Sequence, residues 1–187
     1  MKRFDRESPV RFVGVFLLLF VTFYYINVFF FSITSHGGHY NAFLDEHLNY
    51  IRLLRHILLA ISAQIINWFG YTAITNDLEL LVVGHGTIRV VYSCLGLGVM
   101  SFFAAFAIAY PKKLKARLIF LMLGILGIQT LNILRFVLLA IFWDKKKGDL
   151  ILDHHTIFNI IIYLIIAVSI YFWISHDDKK PISHAEN

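Results

Sequence analysis

The sequence predicts an all-α polytopic membrane protein, and composition and patterning together carry that prediction. Of its 187 residues 58% are hydrophobic, 16% aromatic and only 16% charged, too apolar for a soluble domain. The apolar residues gather into stretches that approach or exceed the roughly 20 residues a helix needs to cross a hydrocarbon core of about 30 Å. The net charge is +5 and the pI near 9.4, but the basic residues cluster at 1–11, 112–117, 145–147 and 179–180, where they flank apolar segments. That placement describes anchors among lipid head groups, with membrane lipids as partners and no nucleic acid. The expected architecture is a single integral membrane domain over residues 1–187, with about five transmembrane helices, one of them a candidate re-entrant or interfacial segment. A small β-hairpin precedes the third of these helices.

The first helix is expected over residues 12–33, after a segment carrying Lys2, Arg3, Arg6 and Arg11. Its apolar run is longer than a signal-peptide core and shows no small-residue cleavage site, so it reads as retained. Ser35, His36, Gly37, Gly38 and His39 then break the helix. The second apolar stretch, residues 48–69, carries Arg52, Arg55 and His56 in its first turns, spaced to share a face and reach head groups. Residues 78–92 place β-branched runs on either side of Gly84-His85-Gly86, the pattern of a hairpin. An open sheet edge cannot sit in hydrocarbon, so the hairpin belongs outside the membrane or against protein. Three further helices are expected over 94–110, 118–143 and 155–174. The first of them is short, rich in Gly, Ala and Phe, and stops at Pro111.

Chemistry enters with Cys94, the only cysteine, at the boundary between the hairpin and the third helix. One cysteine makes no internal disulfide and no CxxC metal motif is present, so the thiol is free. If the last three segments are crossings, chain direction puts the start of the third, the end of the fourth and the start of the fifth at one side. Cys94, Arg135 and His155 occupy those three places, with His154 as the alternative histidine. Gln129, Asn132 and Arg135, at i, i+3 and i+6, share a helical sector that must face protein or water. A thiol at a helix start and beside a cation is favoured as the nucleophilic thiolate. A histidine takes and returns its proton, and an arginine stabilises an oxyanion or holds a carboxylate. Together they describe acyl transfer at a membrane surface, with Asn132 fixing Arg135 or the hairpin.

At these residues the chain resembles the exosortase/archaeosortase family of membrane cysteine transpeptidases. The matching elements are a hairpin ending in Val90, then Cys94-Leu95-Gly96, then Asn132-Ile133-Leu134-Arg135, then His155 opening the last span. The resemblance implies a thiol protease and transpeptidase of the cell envelope that acts in protein sorting. It would cleave a C-terminal signal of exported proteins, made of a short motif, a transmembrane helix and a basic tail, through a thioester. It puts the nucleophile on Cys94 and the other catalytic roles on Arg135 and His155, at the extracytoplasmic face of the cytoplasmic (inner) membrane, with no cofactor or metal. The chain departs from the family pattern at Leu95, where a serine is common, and at Asn159, where a glycine is common. It looks like a minimal version of the family, without the extra spans or appended domain of larger relatives.

Two other classes are compatible with parts of the sequence. A non-catalytic scaffold would bind transmembrane helices of exported proteins without using the thiol, and Arg135 would then pair with Asp144 or Asp153. A metal-ion carrier would use His36, His39, His47 and His56, whose spacing matches no closed zinc motif. Orientation poses a conflict: five simple crossings cannot place both the basic amino terminus and residues 112–117 inside. The segment 48–69 is the one expected not to cross simply.

Overall fold

The computed structural model describes residues 8–35, 40–142 and 154–175. In order these form α1 (Ser8–Thr34), α2 (Ala42–Leu48), α3 (Tyr50–Trp68), β1 (Ala73–Thr75), β2 (Glu79–Val82), β3 (Gly86–Arg89), a 3-10 turn (Tyr92–Leu95), α4 (Leu97–Ala109), α5 (Leu114–Phe142) and α6 (His154–Ser175). The chain divides into two compact units, Met1–Asp149 and Leu150–Asn187. The second contains the apolar helix α6, and the first contains everything else described here.

Among the described residues three helices are long and apolar enough to cross a membrane: Pro9–Thr34 within α1, Leu114–Phe142, and Phe158–Ser175 within α6. The helix α4 is apolar but has only 13 residues, a rise of about 20 Å that falls short of a full crossing. The expected second segment, residues 48–69, is the helix α3, and a short helix α2 that ends at Leu48 precedes it. Asn49 ends α2 and caps α3, its side chain accepting from the Arg52 amide at 2.8 Å while its own amide donates to Asp45 at 2.6 Å. Such a cap satisfies an amide that the first turn leaves open.

The arrangement of α1 against α4 settles how the first unit is threaded. Phe12, Phe16 and Phe20 stack along one side of α1 at i, i+4 spacing, with centroids 6.2 and 6.3 Å apart. Phe12 meets Tyr110 edge-on at 5.9 Å, Phe16 meets Phe102 at 5.3 Å, and Asn27 donates to Ser101 at 3.2 Å. Further up, Phe31 lies 4.5 Å from Tyr92. The two helices are therefore antiparallel, and the Arg11 end of α1 lies at the same end as Pro111 and the lysines after it. The described elements between Ser35 and Val91 leave and return at the opposite end, so α2, α3 and the sheet add no net crossing. The conflict between the two basic clusters disappears for that reason.

The expected hairpin is present as β2 and β3, paired from Glu79↔Arg89 to Val82↔Gly86, but a third strand joins it, giving the antiparallel order β1-β2-β3. No residue pattern marks β1, which is only three residues long and pairs Ala73↔Val82. Its turn into β2 is held by Asn76, whose side-chain oxygen accepts from the Leu78 and Glu79 amides at 2.9 and 2.7 Å. The sheet lies along α3: Asn67 accepts from the Ala73 amide at 2.8 Å, and Arg52, near the other end of the helix, pairs with Asp77 at 2.8 Å. Leu80 and Val82 point inward onto a core with Leu58, Ile66, Val90 and Phe136.

The helix α5 ties the unit together. Its first turns hold α4, where Arg117 donates to the Ile108 carbonyl at 2.7 Å and so satisfies an acceptor at the carboxyl end of α4. In the middle, Gly124 lets the buried ring of Phe103 lie directly against the backbone, in the space a Cβ would fill. Its last turns, from Ile133 to Ile141, pack on α3 and the sheet. Replacing Gly124 by alanine forces that ring to move and is expected to cost about 1–3 kcal/mol of overpacking. Gly127→Ala, whose Cβ meets nothing within 4 Å, is expected to be neutral or to stabilise by up to about 1 kcal/mol. Thermal unfolding of the two variants in one detergent separates these outcomes.

Candidate active site

Cys94 is not in the first turn of the helix that follows it. It sits in the 3-10 turn Tyr92–Leu95, with its amide donating to the Val91 carbonyl at 2.9 Å, and Gly96 separates that turn from α4. Gly96 has φ +70, a left-handed conformation that glycine adopts without strain, and serves as the N-cap of α4. The turn is a sharp corner between the sheet, which ends in the buried Val90, and a helix that descends toward Pro111. The sequence reading of a thiol at the helix start is corrected to a thiol on the corner before it, because Gly96 breaks the helical path two residues later.

The polar sector of α5 lines this corner. Gln129 donates through Nε2 to the Leu95 carbonyl at 3.2 Å and to Met100 Sδ at 3.0 Å. Asn132 donates to Gln129 Oε1 at 3.1 Å, and its Nδ2 lies 2.8 Å from the place a Cβ on Gly96 would take. Arg135 directs Nη2 at Cys94 Sγ, 3.7 Å away. Three residues on one helical sector thus face three consecutive residues of the corner, Cys94, Leu95 and Gly96. Asn132 was expected to brace Arg135 or the hairpin; its bond instead runs to Gln129, one turn back along the helix.

Cys94 and Arg135 are both buried, at 9% and 4% exposure. Among the described residues Arg135 Nε has no hydrogen-bond partner, and the one ion pair is Arg52–Asp77. Among the described residues no carboxylate lies against this guanidinium, whose neighbour is the Cys94 sulfur; Asp144 and Asp153, the partners a structural arginine would take, lie outside them. The depth of Arg135 suits a membrane surface: 21 residues separate Leu114 from Arg135, a rise of about 31 Å, close to the thickness of a hydrocarbon core. Beside the corner, burial pushes the Tyr92 phenol above its ordinary range, with Tyr50 and Tyr24 adding to the effect, so it stays a neutral hydroxyl.

The structure brings Cys94, Arg135 and Asn132 together. His154 and His155 are the first two residues of α6, and their side chains lie outside the described residues, as do Asp144, Asp153, His36 and His39. His47 and His56 are described, His47 stacked on Phe43 at 4.8 Å. Among the described residues no group of three or more His, Cys, Asp or Glu side chains is close enough to hold a metal ion. Sequence patterning places Gln129 on this sector and Gly96 two residues after Cys94, but their contacts, Gln129 with the Leu95 carbonyl and Gly96 with Asn132, come from the fold. A glycine two residues after the cysteine, facing an asparagine-bearing helix, was the available signal.

Gly96→Ala combines a strained φ with a clash against Asn132, and is expected to lower stability by about 1–3 kcal/mol and displace the Cys94 corner. Thermal unfolding together with the alkylation rate of Cys94 measures both effects. In comparisons with known proteins, no curated protein and no solved structure matches the chain. A profile of the family described as transmembrane exosortase (Exosortase_EpsH) matches residues 8–172, from the first turn of α1 to the last turns of α6. The match runs through the aromatic helix α1, the sheet, the Cys94 corner and the polar sector of α5, and the chain therefore belongs to the transmembrane exosortases, a family of membrane transpeptidases.

Proposed function

We propose that the protein is a cysteine transpeptidase that cleaves a C-terminal sorting signal of exported proteins, with Cys94 as nucleophile. The observation that carries the reading is the buried Arg135 guanidinium 3.7 Å from the Cys94 sulfur, with no carboxylate beside it among the described residues. In the resting site Arg135 faces the sulfur, where negative charge resides when the thiol has lost its proton. Attack forms a bond from Sγ to the scissile carbonyl carbon and moves that charge onto the carbonyl oxygen. A cation set between the two positions serves both, and gains most from the oxyanion if that oxygen enters hydrogen-bond range.

The remaining steps need a proton carrier, and His155 is the candidate, with His154 as the alternative. It takes the Cys94 proton and returns it to the amide nitrogen as the carbon–nitrogen bond breaks, leaving a thioester on Cys94. Water or an acceptor amine then attacks the thioester carbonyl and releases the thiolate. Asn132 contributes through the Gln129 amide it braces, and no cofactor or metal has a part in these steps.

The substrate is a protein anchored by a C-terminal transmembrane helix with a basic tail, its scissile motif at the height of Cys94. Of the basic clusters in the first unit, those at Arg11 and at Lys112 to Arg117 lie at the end away from Cys94, which supports an extracytoplasmic site by the bias of basic residues toward the cytoplasm, while Lys145 to Lys147 lie outside the described residues. The membrane is then the cytoplasmic membrane, with the sheet outside.

Replacing Cys94 by alanine is expected to abolish processing of a co-expressed substrate, and a folded Cys94→Ala protein that still processes it overturns the proposal in favour of a scaffold. Arg135→Gln is expected to lower kcat by about 10²–10³, and Arg135→Lys to recover only part of this, since a point charge replaces a planar fork. Of His154→Ala and His155→Ala, the second is expected to abolish acylation; the reverse result moves the proton carrier to His154. In a Cys94→Ala background, Lys113→Cys is expected to resist a membrane-impermeant maleimide in intact cells and to react after permeabilisation. Labelling from outside would invert the orientation.

A further inference from the structure

We infer that Gln129 is a positioning residue for the reaction: its side-chain amide holds the Leu95 carbonyl and Met100, and thereby aims the Cys94 sulfur at Arg135. The inference deepens the proposed function and rests on the reading of Cys94 as the nucleophile.

The carbonyl of Leu95 is the reason a residue of this kind is needed. Leu95 is fully buried, and its carbonyl precedes the left-handed Gly96, so it falls outside the hydrogen-bond ladder of α4, whose first acceptor is the Gly96 carbonyl bonded to the Met100 amide at 2.8 Å. A backbone acceptor left bare in such surroundings is costly, and one place to satisfy it is a side chain on the facing helix. Gln129 Nε2 does so at 3.2 Å, and its second proton goes to Met100 Sδ, one turn into α4. One amide therefore clamps both sides of the Gly96 hinge. Asn132 donating to Oε1 fixes which way that amide is turned, so the amino group faces the corner and the oxygen faces away from it.

Leverage follows from the geometry of the corner. The Leu95 carbonyl belongs to the residue directly after the nucleophile, and Gly96 offers little torsional resistance of its own. Without the clamp, the 3-10 turn is free to rotate about Gly96, and the sulfur is carried out of the line to Arg135. Gln129 touches neither the sulfur nor the guanidinium, so it acts only through the corner that it holds.

The test uses the full-length protein in detergent and exploits Cys94 being the only cysteine. Gln129→Met keeps length and removes the donor, and Thr130→Val, whose hydroxyl bonds only within its own helix to Leu126 at 2.9 Å, is the control. Two readouts are taken on folded protein: the rate at which iodoacetamide alkylates Cys94, located by peptide mass, and kcat and KM for signal processing. The expected result for Gln129→Met is an increase in alkylation of about fivefold or more as the buried sulfur is freed, with kcat down about tenfold, the size of one lost hydrogen bond, and KM within about twofold. Thr130→Val is expected to match the wild type in both. Alkylation unchanged within about twofold in a folded Gln129→Met protein overturns the inference. If Gln129→Met fails to fold, Gln129→Glu is measured instead, with the same outcomes deciding. Should the wild type show no Cys94-dependent processing, the proposed function fails, while the alkylation rates still decide whether Gln129 holds the corner.

Discussion

The organisation of the first unit depends on one constraint: a polar sector on a long apolar helix must find partners inside the protein, because lipid offers none. Gln129, Asn132 and Arg135 bring amide and guanidinium groups into a span where each bare donor is costly. The corner at Cys94, Leu95 and Gly96 is what meets them. It presents a carbonyl outside any helical ladder, a residue with no Cβ, and a sulfur, in a register matched to the helix repeat. Only the sulfur is a poor partner for the group it faces. Among the described residues Arg135 has no carboxylate partner, and its Nε makes no hydrogen bond.

The membrane architecture serves the same corner. Because α1 and α4 run antiparallel along an aromatic seam, the chain between them is gathered at one end, where α3 and the sheet form a roof carried by the last turns of α5. The roof is laced to itself by Asn49, Asn67 and Asn76, three side chains that satisfy backbone amides where helices and strands begin. These are ordinary capping and turn interactions, but they let a small irregular sheet stand beside a bilayer without exposing bare backbone to it. A short α4 is then useful: it places the corner below the roof and close to the membrane boundary, the level where a membrane-anchored peptide would present its last extended residues.

Much of this was legible in the residue order. Apolar length identified α1, α5 and α6 as spans, the glycine-bracketed β-branched run identified β2 and β3, and the i, i+3, i+6 polar pattern showed that one sector of α5 faces inward. Chain direction put Cys94 and Arg135 at one side of the membrane, and the fold sets them 3.7 Å apart. The helix α2 ahead of residues 48–69 was hidden, since seven residues are too few to show a helical period and Asn49 is recognised as a cap only when its side chain is seen to accept from the Arg52 amide. The strand β1 was hidden as well, because three residues are too few to show a period of two.

What the sequence by itself determined is the set of segments that must leave water and the set of polar groups that must be answered within them; hydrophobic transfer and backbone satisfaction are local quantities, readable from residue type and spacing. The tertiary structure decided which groups answer which. That Gly96 takes a left-handed turn, that this exposes the Leu95 carbonyl to Gln129, and that α1 returns its basic end to the side of Pro111 all depend on contacts between residues tens of positions apart. Such contacts are set by how side chains of particular shape fill the space between helices, and no local pattern encodes that filling.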